Sequence, residues 1–145
     1  MVVTDLYRKT IFLDTAPLIY YIEGNSPYQD KLNHVFQANE NGDFAFITSC
    51  ITLLEVLVKP LRDGEIKLAE QYKKILTSAS GISIFEISND IALKAAELRA
   101  MYNLRTPDAL QFATAIEYKA DYFLTNDNRL KSLEQVRSVL LSELQ

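Results

Sequence analysis

The chain carries one cysteine and one histidine, and each scarcity removes a class of chemistry. A lone Cys50 forms no intrachain disulfide. It follows the strand-like Phe44-Ala45-Phe46-Ile47 and reads as a small core residue rather than a nucleophile. A lone His34 and a lone cysteine cannot build a zinc site of the usual kind. A Ser-His-Asp triad would have to use His34 itself, and no serine stands on a nucleophile elbow. Long apolar runs are missing too: Leu18–Ile22 and Val56–Val58 fall far short of a membrane span. Residues 1–10 hold no signal-peptide apolar core. No Pro/Gly-rich linker, repeat or low-complexity stretch interrupts the chain. An excess of positive charge is also absent, with 15 Lys and Arg against 19 Asp and Glu and a net charge of −4. Such a protein does not hold nucleic acid by bulk electrostatics. These absences predict a soluble, cytoplasmic protein with one domain over residues 1–145 and no membrane association.

What is present is a well-mixed sequence, 48% apolar, long enough to bury a core without staples. The apolar stretches Ile11–Leu13, Phe44–Thr48, Ile82–Ile87 and Tyr122–Thr125 predict short buried strands, with Arg137–Leu141 as a weaker fifth. Helical patterns fill the gaps. They are Ala16–Glu23, Pro27–Asn41 capped by Ser26, Ser49–Lys59 stopping before Pro60, Gly64–Ser78 capped by Asp63, Asn89–Tyr102 capped by Ser88, and Pro107–Lys119 capped by Thr106. Strands alternating with helices predict an α/β protein with a mainly parallel sheet of four to five strands, covered on both faces. Sites in such sheets form beyond the carboxyl ends of the strands. The segment Leu18–Ile22 is apolar all round a helical turn, which fits either a deeply buried helix or one with a face for the core and a face for a partner.

Four acids stand on that predicted rim: Asp14 after the first strand, Glu55 in the helix after the second, Asp108 at the start of the last helix, and Asp127 after the fourth strand. Each has a structural explanation by itself. Asp14 and Asp127 suit turns or caps. Asp108 in a first turn gains roughly 0.3–1 kcal/mol from the helix dipole. Glu55 shares a narrow polar strip with Thr52 and Lys59, opposite Ile51, Leu53, Leu54, Leu57 and Val58, and a solvated face explains that strip. Taken together they suggest more. Carboxylates gathered in one cleft repel, and a divalent cation between them relieves the repulsion. Such a cation, Mg²⁺ or Mn²⁺, usually acts on phosphate, and it reverses the local sign of an acidic protein. Arg105, Arg129 and Lys131 flank Asp108 and Asp127 and are the candidate phosphate contacts.

The segments around these acids resemble a known family. Ile11-Phe12-Leu13-Asp14-Thr15-Ala16-Pro17-Leu18-Ile19-Tyr20 is similar to the opening of PIN domains. Leu104–Ala115, with Thr106-Pro107-Asp108-Ala109 at its head, is similar to their central motif. Ala120–Asp127, ending Leu124-Thr125-Asn126-Asp127, is similar to their last. The resemblance is closest to small stand-alone members, including VapC-type toxins of toxin–antitoxin pairs. It implies a PIN-like three-layer sandwich, a Mg²⁺- or Mn²⁺-dependent endoribonuclease that hydrolyses RNA with a metal-activated water, a homodimer, and often an antitoxin partner. Asp14, Glu55, Asp108 and Asp127 match the family's acidic positions, and Thr125 matches a supporting hydroxyl. The resemblance assigns Asp14, Asp108 and Asp127 as the main metal ligands, with Glu55 acting through water. Ala16 departs from the pattern, which often has Asn or Ser there.

Two other readings compete. A phosphoacceptor receiver domain would want a phosphorylated Asp after the third strand and a Lys after the fifth. Ile82–Ile87 ends in Ser88, and Arg137–Leu141 leads to no lysine. A dormant PIN fold serving as a partner or RNA-binding module would not need all four acids intact. A phosphatase of the Asp-x-Asp kind fails at Asp14-Thr15-Ala16.

Overall fold

The computed structural model describes residues 1–24 and 26–145. Five strands form one sheet in the order β3-β2-β1-β4-β5: β1 (Thr10–Leu13), β2 (Ala45–Ser49), β3 (Ile82–Phe85), β4 (Tyr122–Thr125) and β5 (Arg137–Leu140). Every pairing is parallel, β1 to β4 in the register Phe12 to Phe123 and β1 to β2 in the register Ile11 to Phe46. The helices are α1 (Thr15–Glu23), α2 (Gln29–Glu40), α3 (Cys50–Arg62), α4 (Ile66–Ser78), α5 (Asn89–Tyr102) and α6 (Thr106–Glu117).

Strand alternation sorts the core into two layers. Ile11 and Leu13 of β1, Phe46 of β2 and Leu124 of β4 face the side packed by α1 to α4. Phe12, Ile47 and Phe123 point to the other side, against α5 and α6. Phe12 and Phe123 stack there at 4.8 Å between ring centres. Both faces of the sheet are therefore dry, which is why its strands read as short continuous apolar runs. The result is an α/β three-layer sandwich with a parallel sheet, as the sequence predicts.

Strand order reverses between β1 and β4. Connections from β1 run outward to β2 and β3, and the chain returns to the far side of β1 for β4 and β5. A crevice opens at such a switch point beyond the carboxyl ends of the strands. The Asp14 N–H donates to the Leu124 carbonyl at 3.1 Å, so the two strand ends are tied where that crevice begins.

Several local expectations are corrected. Helix α3 runs through Pro60 to Arg62. Proline there removes one hydrogen bond in the last turn, and its ring is buried. Asp63 ends α3 instead of capping α4, and Gly64 takes the left-handed φ of 72° that turns the chain between them. Thr106 lies inside α6, whose cap position is Arg105. The Ser26 hydroxyl oxygen accepts from the Tyr28 N–H, one position ahead of α2. Cys50 is half-buried at the start of α3 rather than a core residue.

The buried stripe of α3 is Thr52, Val56 and Pro60. The apolar residues expected to face inward divide: Leu57 packs on the core, while Leu54 is 60% exposed and Val58 44%. Leu61, one turn on, is 59% exposed. Helix α1 has no comparable spare face, because Leu18 is buried and Ile19, Tyr20, Tyr21 and Ile22 pack against the core.

Candidate active site

The crevice at the switch point is a cleft of about 360 Å³ lined by Asp14, Glu55, Asp108 and Asp127 together with Thr15, Ala16, Ile19, Arg105, Thr125, Asn126 and Asn128. The four acids named from sequence, and Thr125, therefore meet on one surface.

Asp14 leaves β1 and caps α1. Its Oδ1 accepts the Thr15 N–H at 2.9 Å and its Oδ2 accepts the Thr125 hydroxyl at 2.7 Å. Burial pushes its carboxyl up to about 6, the hydrogen bonds from Thr125 and the Thr15 N–H oppose that rise, and the Asp108 and Glu55 carboxylates add to it. Two neighbouring acids thus contribute to the field at Asp14.

Glu55 is exposed on α3, and its Oε1 accepts the Thr15 hydroxyl at 2.7 Å. Thr15 therefore holds both sides of this half of the cleft, its amide on Asp14 and its hydroxyl on Glu55. The sequence alone assigns Thr15 no role of its own at the site. Ala16 lines the cleft with a methyl group and brings no hydrogen bond.

Asp108 stands in the first turn of α6 and is bonded by Arg105 Nε at 3.0 Å. Asp127 caps the 3₁₀ turn Asn128–Ser132 through the Arg129 N–H at 2.9 Å. The Arg129 side chain returns to the same carboxylate, with Nε at 3.0 and 3.2 Å and a terminal nitrogen at 2.6 Å, and reaches Asp108 at 3.5 Å. The hydrogen-bonded guanidinium of Arg129 holds the Asp127 carboxyl below its ordinary range, against a smaller opposing effect of burial. Lys131 does not join them. Its ammonium is instead paired with Glu143 at 2.8 Å.

Beneath the acids lies a buried polar network that sequence reasoning missed. Gln111 of α6 donates to the Thr52 hydroxyl of α3 at 2.6 Å and accepts from the Ser49 hydroxyl. Thr48 hydrogen-bonds Thr52 at 2.8 Å and donates to the Leu13 carbonyl at 2.8 Å. Leu13 precedes Asp14, Thr52 stands one turn from Glu55, and Gln111 one turn from Asp108. The network therefore links three of the elements that carry the acids. Its visible signal was one amide in the otherwise small and apolar run Ala109–Ala115.

The donor set is all hard oxygen, the chemistry that suits Mg²⁺ or Mn²⁺ and not a zinc site. In this arrangement no three acid, histidine or cysteine side chains among the described residues group tightly enough to enclose one ion. Asp108 and Asp127 are engaged by arginines, and Glu55 by Thr15. The donor chemistry of the four acids fits a divalent ion.

Residues 11–136 match the family model described as PIN domain. Comparison with proteins of curated function gave no match. Among solved structures, the chain is similar to one in VapBC2 from Rickettsia felis bound to a fragment of its promoter DNA, with a TM-score of 0.71, 19% identity, and coverage of 90% of this chain and 98% of that one. It is similar to a chain of a toxin–antitoxin complex from Klebsiella pneumoniae, with a TM-score of 0.66, 25% identity and coverage of 90% and 97%. It is also similar to VapC20 of Mycobacterium tuberculosis, described as a toxin cleaving the sarcin–ricin loop, with a TM-score of 0.69, 16% identity and coverage of 88% and 98%.

Proposed function

The chain belongs to the PIN-domain family, and on that footing we propose that it is a Mg²⁺- or Mn²⁺-dependent endoribonuclease, the toxin of a toxin–antitoxin pair. The observation that carries the reading is the meeting of Asp14, Glu55, Asp108 and Asp127 at the switch point of a parallel sheet. Support for the toxin assignment comes from the toxin–antitoxin complexes among its structural relatives.

Asp14, Asp108 and Asp127 are the residues that would hold the ion, with Glu55 bound through water or orienting the nucleophile. When bound, the ion supplies Lewis acidity, which makes water a competent nucleophile near neutral pH and offsets charge on the phosphate oxygens. The chain's own residues do the rest. Thr125 fixes the Asp14 carboxylate, Thr15 fixes Glu55, and Arg105 and Arg129 stand where RNA phosphates would approach an otherwise acidic rim. RNA is held by the loaded site and these few cations, and not by a basic face. The protein acts in the cytoplasm as a homodimer, with an antitoxin as its protein partner.

The arginine pairs favour one competing reading, a dormant site stabilised by its own ion pairs. Incubation of purified protein with a labelled single-stranded RNA, with chelator and then with millimolar Mg²⁺ or Mn²⁺, separates the two. The nuclease reading expects cleavage only with metal, and the dormant reading expects none in either.

A further inference from the structure

The cleft is electrostatically divided. Asp14 and Glu55 accept only hydroxyl and amide hydrogens and have no cationic partner among the described residues. On the other side, both oxygens of Asp127 are taken by Arg129, and both oxygens of Asp108 by Arg105, with Arg129 also near Asp108. The fork of a guanidinium matches a carboxylate in two-point fashion. Each such bond takes up a lone pair that a cation would otherwise use, and two positive charges at one carboxylate repel.

We propose that Arg129, assisted by Arg105, is a built-in competitor for the metal: its guanidinium occupies the Asp127 and Asp108 oxygens that the ion needs, and the ion binds by exchange with it. The inference rests on the metal-site reading given under Proposed function. Arg129 is placed for this role by the chain itself. It lies two residues after Asp127, and the Asp127 cap on the Arg129 N–H fixes the start of its side chain. That short tether keeps the guanidinium at high effective concentration beside the carboxylate.

The same geometry makes the contact exchangeable. The Arg129 side chain is 63% exposed and that of Arg105 68%, whereas Asp108 and Asp127 are 17% and 23% exposed. An exposed arginine returns to water without a desolvation cost, so its pairing is weak by itself. The carboxylates, more enclosed, keep a need for positive charge whichever cation supplies it. The device therefore tunes metal affinity downward without blocking the site. It also leaves a free guanidinium at the cleft mouth only once the ion is in place.

The test is calorimetric titration of Mn²⁺ into chelator-treated, full-length protein, without RNA, for wild type, Arg129→Gln, Arg129→Lys and Asp14→Asn. Glutamine keeps the polar, unbranched stem and removes both the charge and the fork. Arg129→Gln is expected to bind Mn²⁺ roughly two- to tenfold more tightly than wild type, the scale of one exposed ion pair or slightly more. Arg129→Lys should fall between them, because it keeps charge without the fork. Tight binding by Arg129→Gln where wild type shows none would support the proposal most strongly. Unchanged or weaker binding by a folded Arg129→Gln, with wild-type binding that Asp14→Asn abolishes, overturns the competitor role and leaves the metal site standing. No Mn²⁺ binding by either wild type or Arg129→Gln overturns both.

Discussion

Thr125 donates its hydroxyl hydrogen to Asp14 Oδ2 at 2.7 Å, while the Thr125 oxygen accepts the Asp127 N–H at 3.0 Å. One fully buried hydroxyl thus ties the acid after β1 to the acid after β4. It also opposes the upward pull of burial on Asp14. Thr125→Val keeps the shape and removes the donor. The Asp14 carboxyl should then titrate above its present value of about 6, and the acid limb of the cleavage profile should move to higher pH. Thr125→Ser should restore the limb. An unmoved limb in a folded Thr125→Val protein would show that the hydroxyl does not position Asp14.

The Asp14 carboxyl gives stability a definite pH dependence. Its folded value of about 6 lies above its ordinary 3.8, so between these values the folded protein binds more protons than the unfolded chain. This contribution makes stability fall as pH rises from about 4 to 6, and the deficit persists above that window. Asp14→Asn removes the deficit and should raise stability of metal-free protein at pH 7.5 by about 1–3 kcal/mol. Protons and metal compete for the same group, so the Mn²⁺-induced rise in Tm should be larger at pH 7.5 than at pH 5 in wild type, and absent in the variant. Urea melts and thermal scans at the two pH values check both statements.

Much of this arrangement was legible from residue types alone. Asp14 directly follows an apolar run and Asp127 comes shortly after one, and an acid just past a strand's carboxyl end lies on the rim. Asp108 beside Pro107 marks a helix start. The side of α3 was not legible. Projection put Leu54 and Val58 inward and Thr52 outward, and the structure does the reverse because Thr52 has hydroxyl and amide partners from Thr48 and Gln111. A threonine with a buried partner is a core residue, and periodicity cannot see the partner. Glu55 reached the cleft even so, through its bond to Thr15. The engagement of Lys131 by Glu143 was hidden for a similar reason: the pair joins the 3₁₀ turn after β4 to the chain end, a contact that spacing does not encode.

The exposed side of α3 makes the expected homodimer testable. Leu54, Val58 and Leu61 lie at positions i, i+4 and i+7, one stripe of a helix, and Ile66 at the start of α4 is 72% exposed. Apolar residues gathered in this way mark an association surface more often than a solvated face. If α3 carries the proposed dimer contact, wild type should elute as a dimer in light scattering and the double variant Leu54→Glu, Leu61→Glu as a monomer with near-normal Tm. Both proteins running as dimers would place the interface elsewhere.

The central claim, that the four acids form a metal-dependent phosphodiesterase site, is tested most directly at Asp108. It is an acid with a ready structural role, as a first-turn residue of α6 paired with Arg105. Initial rates of cleavage of a fluorescent single-stranded RNA in Mn²⁺ should fall by at least about a hundredfold in Asp108→Asn, as expected for loss of a group acting at the reacting phosphate. Asp14→Asn should fall alike, with circular dichroism unchanged in both. Cleavage by Asp108→Asn at the wild-type rate, in protein that depends on Mn²⁺, would contradict the account.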